Sequence, residues 1–161
     1  MINMDICDIV TATPCVQTGD SIKHFFELCI KENIPALPFR DKDGVLAGFV
    51  TLKQVMGKDC LPNYLVELAG ILSNDMNCVS KATDKISKLL HNTVDDYIEQ
   101  SILFITSDAI LIRVVALMEQ HNTDFLFVAD GDKSCSADYK GIVTRLAVAR
   151  KMLQIENSVN G

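Results

Sequence analysis

The spacing of apolar residues changes from helical to strand-like twice along the chain. In the first instance apolar side chains recur at intervals of three and four residues, at Ile22, Phe25, Phe26, Cys29 and Ile30. Behind Asp20 or Ser21 as the cap, this pattern predicts an amphipathic helix. Apolar runs at 37–39 and 46–50 then predict two strands joined by an Asp-Gly turn, with a further helix after them.

The second instance repeats the first in the same order, from a strand-like run at 102–108 to strands at 125–128 and 141–143. We expect its helix to be buried more broadly, because two apolar rows lie side by side. These rows are Leu111, Val115 and Met118, and Ile110, Val114 and Leu117. Asp20 and Asp108 are 88 residues apart and Thr51 and Thr144 are 93 apart, so five additional residues are expected at 133–140.

These patterns divide the chain into two copies of a β-α-β-β-α unit, predicted at 9–56 and 102–153. Residues 57–101 are predicted to form a largely helical insertion, with a helix at 63–72 and helical turns at 86–90 and 94–98. We expect the insertion to pack on the repeats or on a second chain. Residues 154–161 are predicted to be a polar tail.

Composition and charge narrow the range of functions. The chain has 161 residues, of which 48% are hydrophobic and 22% charged, as is typical of a globular protein. Its net charge of −6 and its scattered basic residues argue against a nucleic-acid partner. No apolar run approaches the roughly 18 residues of a membrane span, and the first residues do not resemble a signal peptide, so we expect a cytoplasmic protein with no membrane insertion.

The six cysteines show no spacing typical of a metal site or a disulfide framework. We expect reduced, mostly buried thiols at Cys7, Cys15, Cys29, Cys60, Cys78 and Cys135. The three histidines, His24, His91 and His121, lack a neighbouring catalytic partner in sequence. Since the chain also lacks a G-x-S-x-G motif, a P-loop and a G-x-G-x-x-G motif, we expect no enzymatic activity.

Several short motifs occur in the same order in the first copy, and the turn and the ending recur in the second. They are the Ile-Pro-x-hydrophobic-Pro strand at 34–38, the Asp-x-Asp-Gly turn at 41–44, and the Gly-hydrophobic-Val-Thr endings at 48–51 and 141–144. Each copy resembles a cystathionine β-synthase (CBS) domain, and the two together resemble the tandem pair called a Bateman module. The resemblance implies an α/β (α+β) fold in which two repeats pack about a pseudo-twofold axis, with the helical insertion between them.

The same resemblance implies a regulatory role without catalysis. Such modules commonly hold an adenosine derivative in clefts between the repeats, and two modules usually pair as a homodimer. In ligand-binding members the ending continues as Thr-x-x-Asp, where Thr contacts phosphate and Asp holds the ribose hydroxyls. Here Thr51 leads to Gln54 and Thr144 leads to Ala147, so neither copy has the ribose aspartate. This loss should cost roughly ten- to hundredfold in affinity unless another group replaces it.

Other residues could hold part of a ligand. Gln54 can make a neutral hydrogen bond where Ala147 can make none, and Arg145 at a helix start could hold a phosphate. The residues before each second strand match positions that line the adenine end in the family. They are Ile34, Pro35 and Ala36 in the first copy, and Asn122, Thr123 and Asp124 in the second. Asp124 departs most from the usual apolar pattern.

Structural roles compete with these binding roles. Thr51 and Gln54 also have the spacing of a capping box, and Arg145 and Arg150 could be solvated or could complement an acidic surface. The sequence favours a stand-alone sensor that needs no cofactor, binds AMP, ADP, ATP or another adenosine derivative, and regulates a protein effector. The alternative is a ligand-free dimerisation or docking module.

Overall fold

Each half of the chain builds one three-stranded sheet flanked by helices. The computed structural model describes residues 2–59, 79–132 and 135–161. The first half contains β1 (Val16–Gln17), α1 (Ile22–Glu32), β2 (Ala36–Arg40), β3 (Leu46–Thr51) and α2 (Leu52–Asp59). After α3 (Val79–His91), the second half contains β4 (Phe104–Ile105), α4 (Leu111–Gln120), β5 (Phe125–Ala129), β6 (Tyr139–Thr144) and α5 (Arg145–Asn160).

The two sheets have the same topology. The first strand runs parallel to the second, and the second runs antiparallel to the third. Ala36 is opposite Thr51 in one sheet, as Phe125 is opposite Thr144 in the other, and each second strand has a register shift at its end. The predicted fold class, a mixed fold of two β-α-β-β-α repeats, is confirmed.

Helix α1 follows the sequence pattern closely. The hydroxyl of Ser21 accepts a hydrogen bond from the backbone N–H of His24 at 3.0 Å and caps the helix. Ile22, Phe25 and Cys29 are buried, but Ile30 is 78% exposed, so the buried stripe is narrower than the spacing predicts.

Helix α4 differs from the predicted pattern in two ways. It begins after Ile110, which has no capping side chain. Asn33 and Asn122 are the equivalent left-handed residues after α1 and α4. They are 89 residues apart, one more than the 88 that separate Asp20 and Asp108. One of the five additional residues therefore lies before α4. The prediction of broader burial is wrong, because β5 and α5 cover a single stripe of α4 and leave Ile110 and Ile112 exposed.

A segment at the start of the chain lies against the second repeat instead of the first. The backbone N–H of Ile6 donates to the carbonyl of Ala109 at 3.1 Å. Thr11 and Ile142, the latter in β6, exchange two backbone hydrogen bonds of 2.9 Å each. Residues 4–11 thus extend the second repeat, although they precede the first in sequence.

The segment before β4 makes the equivalent contacts with the first repeat. The N–H of Val94 donates to the carbonyl of Asp20 at 2.9 Å, and Phe49 and Glu99 exchange two backbone bonds of 2.8 Å. We call residues 4–11 and 93–99 the exchanged segments, because each precedes one repeat in the sequence and lies against the other. Each contains a 3₁₀ helix, Cys7–Ile9 in one and Val94–Tyr97 in the other. Asp5 and Thr93 form equivalent bridges, to Ile110 and Ser21, so the similarity between the halves extends back to these two residues. The repeat limits 9–56 and 102–153 stay predictions.

The exchanged segments explain the glycine that opens each Gly-hydrophobic-Val-Thr ending. A Cβ atom at Gly48 would lie 2.3 Å from the carbonyl oxygen of Glu99, and one at Gly141 would lie 2.1 Å from that of Thr11. Both distances are far below van der Waals contact. Glycine is needed at these two positions because another backbone passes directly over them.

Equivalent lysines on α2 and α5 hold the two 3₁₀ helices. The Lys58 ammonium donates to the carbonyl of Asp96 at 2.7 Å and lies over the ring of Tyr97. The buried Lys151 ammonium donates to both carboxylate oxygens of Asp8, at 2.8 and 2.9 Å. The last helix of each repeat therefore secures the segment that the other half contributes.

Aromatic side chains join the two repeats. The ring of Phe49 on β3 lies 5.7 Å from that of Phe127 and 6.1 Å from that of Phe125, both on β5. Phe127 and Ile142 belong to the same buried cluster as Val16 and Phe25 of the first repeat. The repeats consequently share a core in addition to the two exchanged segments.

The insertion is described only in part. The predicted helix at 63–72, together with Cys60 and Cys78, lies outside the described residues. Near the predicted turns at 86–90 and 94–98 lie α3, which packs against α1, and the 3₁₀ helix Val94–Tyr97. Helix α5 continues to Asn160, so most of the predicted polar tail is helical. None of the helices in the described ranges has the length and apolar character to cross a membrane.

Candidate functional site

Thr51 and Thr144 end the third strand of each repeat and begin the following helix. The hydroxyl oxygen of Thr51 accepts a hydrogen bond from the backbone N–H of Gln54 at 2.9 Å, and that of Thr144 accepts from Ala147 at 3.2 Å. These bonds cap α2 and α5. Each hydroxyl keeps its own proton, so it can still donate to an anionic oxygen.

The capping-box interpretation of Thr51 and Gln54 is half correct. The threonine makes its bond to the backbone of Gln54. The reciprocal bond, from the Gln54 amide to the backbone N–H of Thr51, is absent between these two described residues. The Gln54 amide therefore remains free to contact a ligand.

A turn before the second strand of each repeat lies beside its threonine. The N–H of Leu52 donates to the carbonyl of Pro35 at 3.0 Å, and the N–H of Arg145 donates to that of Asp124 at 2.8 Å. These bonds fix the turn against the start of the helix, so the residues predicted from the sequence to line an adenine end lie close to the capping threonines.

Two clefts lie between these elements, and each combines groups from both repeats. The first cleft, of about 830 Å³, places Thr51 and Gln54 of the first repeat opposite 121–124 of the second. The second cleft, of about 610 Å³, places Thr144 and Arg145 opposite 33–35. Both volumes are in the range of small-molecule sites, about 300–1,000 Å³. The pairing across the repeats is what a pseudo-twofold arrangement produces.

The structure brings most of the predicted site residues to these clefts. Six of them line the first cleft: Pro35, Thr51, Gln54, Asn122, Thr123 and Asp124. Five line the second: Ile34, Pro35, Asp124, Thr144 and Arg145. Ala36 and Ala147 are buried and belong to neither lining, because Ala36 lies within the β2–β3 ladder and the Ala147 methyl packs in the core of the second repeat.

Arg145 is engaged within its own repeat. Its Nη1 donates to Glu119 at 2.6 Å, its Nε to the Asp124 carboxylate at 2.9 Å, and its Nη2 to the carbonyl of Thr123 at 2.9 Å. Three of the five guanidinium N–H donors are thus occupied. This geometry favours the interpretation that Arg145 complements an acidic surface over its prediction as a phosphate ligand.

Sequence reasoning missed several polar residues of the first cleft. They are Lys53, Lys58, Glu99, Ser101 and His121. Lys53 lies in the first turn of α2, so it adds a cation to the wall of the cleft at the start of the helix. Its position two residues after Thr51 is the signal that could have identified it. Glu99 and Ser101 had no such signal, because they reach the cleft through the exchanged segment.

The cysteine that lines the second cleft, Cys29, has an unreactive thiol. Burial raises the pKa of the Cys29 thiol to about 12, so this lining residue is protonated at neutral pH. Cys7, Cys15, Cys29 and Cys135 are free thiols, but only Cys29 is buried, so the prediction of mostly buried thiols is wrong for these four. Across the ranges 2–59, 79–132 and 135–161, no three His, Cys, Asp or Glu side chains converge as a metal site would require.

Comparison with solved structures identifies the same architecture in other proteins. The CBS-pair protein CBSX2 from Arabidopsis thaliana is 22% identical over 97% of this chain and 99% of that one, with a TM-score of 0.65. The structure of CBSX2 in complex with AMP gives 22% identity, 94% and 98% coverage and a TM-score of 0.63. The CBS domain of a membrane protein from Sphaerobacter thermophilus is 19% identical over 92% of this chain and 87% of that one, with a TM-score of 0.64. No family model matches the sequence, and no curated protein gives a significant match.

Proposed function

We propose that this chain, whose fold is that of a tandem CBS pair, is a regulatory module that binds an adenosine-containing ligand and performs no catalysis itself. The observation that carries the proposal is the first cleft, which has the volume of a small-molecule site and combines the Thr51 hydroxyl, the Gln54 amide and the start of α2. The complex of CBSX2 with AMP supports the choice of ligand class.

The first cleft is better equipped for a phosphorylated nucleoside than the second. Lys53 at the start of α2 supplies a cation, whereas the equivalent residue on α5 is Leu146. In the second cleft the Arg145 guanidinium is already held by two carboxylates, and apolar groups of Ile30, Leu52 and Leu146 form much of the wall. We therefore assign the nucleotide to the first cleft.

The second cleft supports the other candidate function, a ligand-free docking module. Its wall is largely apolar, and its Arg145 guanidinium is already paired with two carboxylates. Such a surface is better suited to contact with a protein than to binding phosphate. The protein effector and the cytoplasmic location stay predictions of the sequence.

Calorimetric titration with adenosine, AMP, ADP and ATP tests the proposed function. We expect Thr51→Ala to weaken AMP binding roughly ten- to hundredfold, because a hydrogen bond to a charged group contributes about 1.5–3 kcal/mol. Thr144→Ala is the matched control: it removes the same kind of helix cap, at a similar cost of about 1 kcal/mol in stability, but leaves the first cleft intact. Its AMP affinity should equal that of the parent.

Two results would contradict this assignment. Equal weakening by both threonine variants would mean that the first cleft is not the site. A complete absence of binding, with no thermal stabilisation by any ligand of the panel, would favour the docking module. Saturation at about 100 times the dissociation constant should otherwise stabilise by about 2.7 kcal/mol, or roughly 5–10 °C.

We also propose that two copies of the module associate. Large apolar side chains remain exposed on α4 and α5, namely Ile112 and Leu153, in addition to Ile30 and Leu146 in the wall of the second cleft. A second copy would bury them. Sedimentation at micromolar concentration should give about twice the chain mass of 17.8 kDa, and Leu153→Glu should shift it towards the monomer. A parent protein that sediments as a monomer would disprove the association.

A further inference from the structure

Asp124 lines the first cleft together with Gln54, and it also lines the second cleft beside Arg145. It is the residue before β5, at the position that Pro35 occupies before β2. Its side chain is 81% exposed, and its carboxylate accepts a hydrogen bond from Arg145 through Oδ1 at 2.9 Å. The second oxygen, Oδ2, retains its capacity to accept hydrogen bonds.

Arg145 fixes the direction of this carboxylate. The planar guanidinium is anchored at three points, by Glu119, by Asp124 and by the carbonyl of Thr123. The equivalent positions in the first repeat are all apolar, with Ile30 for Glu119, Ile34 for Thr123 and Leu52 for Arg145. The oriented carboxylate is therefore a feature of one repeat, and it has no counterpart among the described residues of the other.

We propose that Asp124, positioned by Arg145, accepts hydrogen bonds from the ribose hydroxyls of a nucleoside bound in the first cleft. The inference rests on the proposed function and specifies how that site recognises its ligand. Gln54 stands where a carboxylate would otherwise come from α2, and the two acidic residues that line the cleft are Glu99 and Asp124. Asp124 supplies the missing charge from the second repeat, and a carboxylate is the acceptor that binds hydroxyl groups most strongly.

The ion pair has a second consequence for phosphorylated ligands. An isolated carboxylate at the cleft would repel a phosphate, and the Arg145 guanidinium, which Asp124 shares with Glu119, offsets part of that repulsion. Arg145 is accordingly a positioning residue. It orients the acceptor for the sugar and moderates its charge towards the phosphate.

The test compares adenosine with 2′-deoxyadenosine by calorimetry. We expect the parent to prefer adenosine by about five- to tenfold, a modest factor for a charged hydrogen bond because the Asp124 carboxylate is largely exposed. Asp124→Asn should remove most of this preference, and Arg145→Met should reduce it while weakening AMP more than adenosine. Glu119→Gln is the matched control, because Glu119 holds the same guanidinium yet is outside the cleft lining; it should keep the preference.

The outcomes separate this inference from the proposed function. An unchanged adenosine preference in Asp124→Asn, or no preference in the parent, would overturn the role of Asp124 while the nucleotide site stands. No binding of any adenosine compound would overturn both. Thermal melting of each variant accompanies the titrations, and since Asp124 is exposed we expect Asp124→Asn to melt near the parent temperature.

Discussion

Gly141→Ala is expected to lower the free energy of unfolding by about 3 kcal/mol or more. The added methyl group would lie 2.1 Å from the carbonyl oxygen of Thr11 and 3.1 Å from the Cα atom of Ala12, so the exchanged segment would have to move. Gly141 also has a φ of 151°, a conformation that alanine adopts with strain. Overpacking and backbone strain each contribute about 1–3 kcal/mol.

Gly57→Ala is the matched control for this substitution. Gly57 lies within α2, and among the described residues no heavy atom outside the helix backbone lies within 4 Å of the position its Cβ would take. Alanine there should stabilise the protein by up to about 1 kcal/mol through its higher helix propensity. Urea unfolding measures both, and a loss of about 3 kcal/mol corresponds to roughly 6–12 °C in Tm. Equal stability of the two variants would mean that the segment does not pass over Gly141.

Phe127→Ala is expected to cost about 3–5 kcal/mol, the usual range for removing a buried aromatic ring. Phe127 is 1% exposed, and its ring lies within 6.4 Å of four other rings. They belong to Phe49, Phe104, Phe125 and Tyr139. One of these neighbours, Phe49, comes from the first repeat, so the cavity would loosen the contact between the repeats.

Phe26→Ala provides the comparison for Phe127→Ala. Phe26 lies beside Phe25 on α1 and is only partly buried, so its truncation should cost clearly less. If Phe127→Ala itself does not fold, Phe127→Leu keeps most of the volume and should unfold with a smaller loss. Chemical denaturation measures all three, and a Phe127→Ala variant as stable as Phe26→Ala would contradict the shared core.

The repeat and the order of its elements could be predicted because they depend on local patterns. Helical spacing after Ser21, the Asp-Gly turn and the run that ends at Thr51 each involve residues close in sequence. The two threonines were predicted as site residues because the endings at 48–51 and 141–144 resemble those of ligand-binding CBS domains. Their hydroxyls do begin helices at the two clefts.

The composition of each cleft could not be predicted, because it depends on contacts between distant segments. The sequence carries no periodic signal for the pairing of Thr51 with Asp124 across the repeats. It also carries none for Glu99, which reaches the first cleft through an exchanged segment. The anchoring of Arg145 by Glu119 and Asp124 is likewise a tertiary contact. The exposure of Ile30 shows that helical spacing gives the direction of an apolar face but not how far a neighbour covers it.

The exchange of segments also determines the order in which the molecule can be completed during synthesis. Residues 4–11 are synthesised well before their partners Ala109 and Ile142, which belong to the second repeat. Closing such a long loop is entropically slow, so residues 4–11 stay without their partners while the first repeat forms. A nascent chain halted before β6 would leave this segment exposed, and this is the stage at which chaperones or premature self-association would compete with folding.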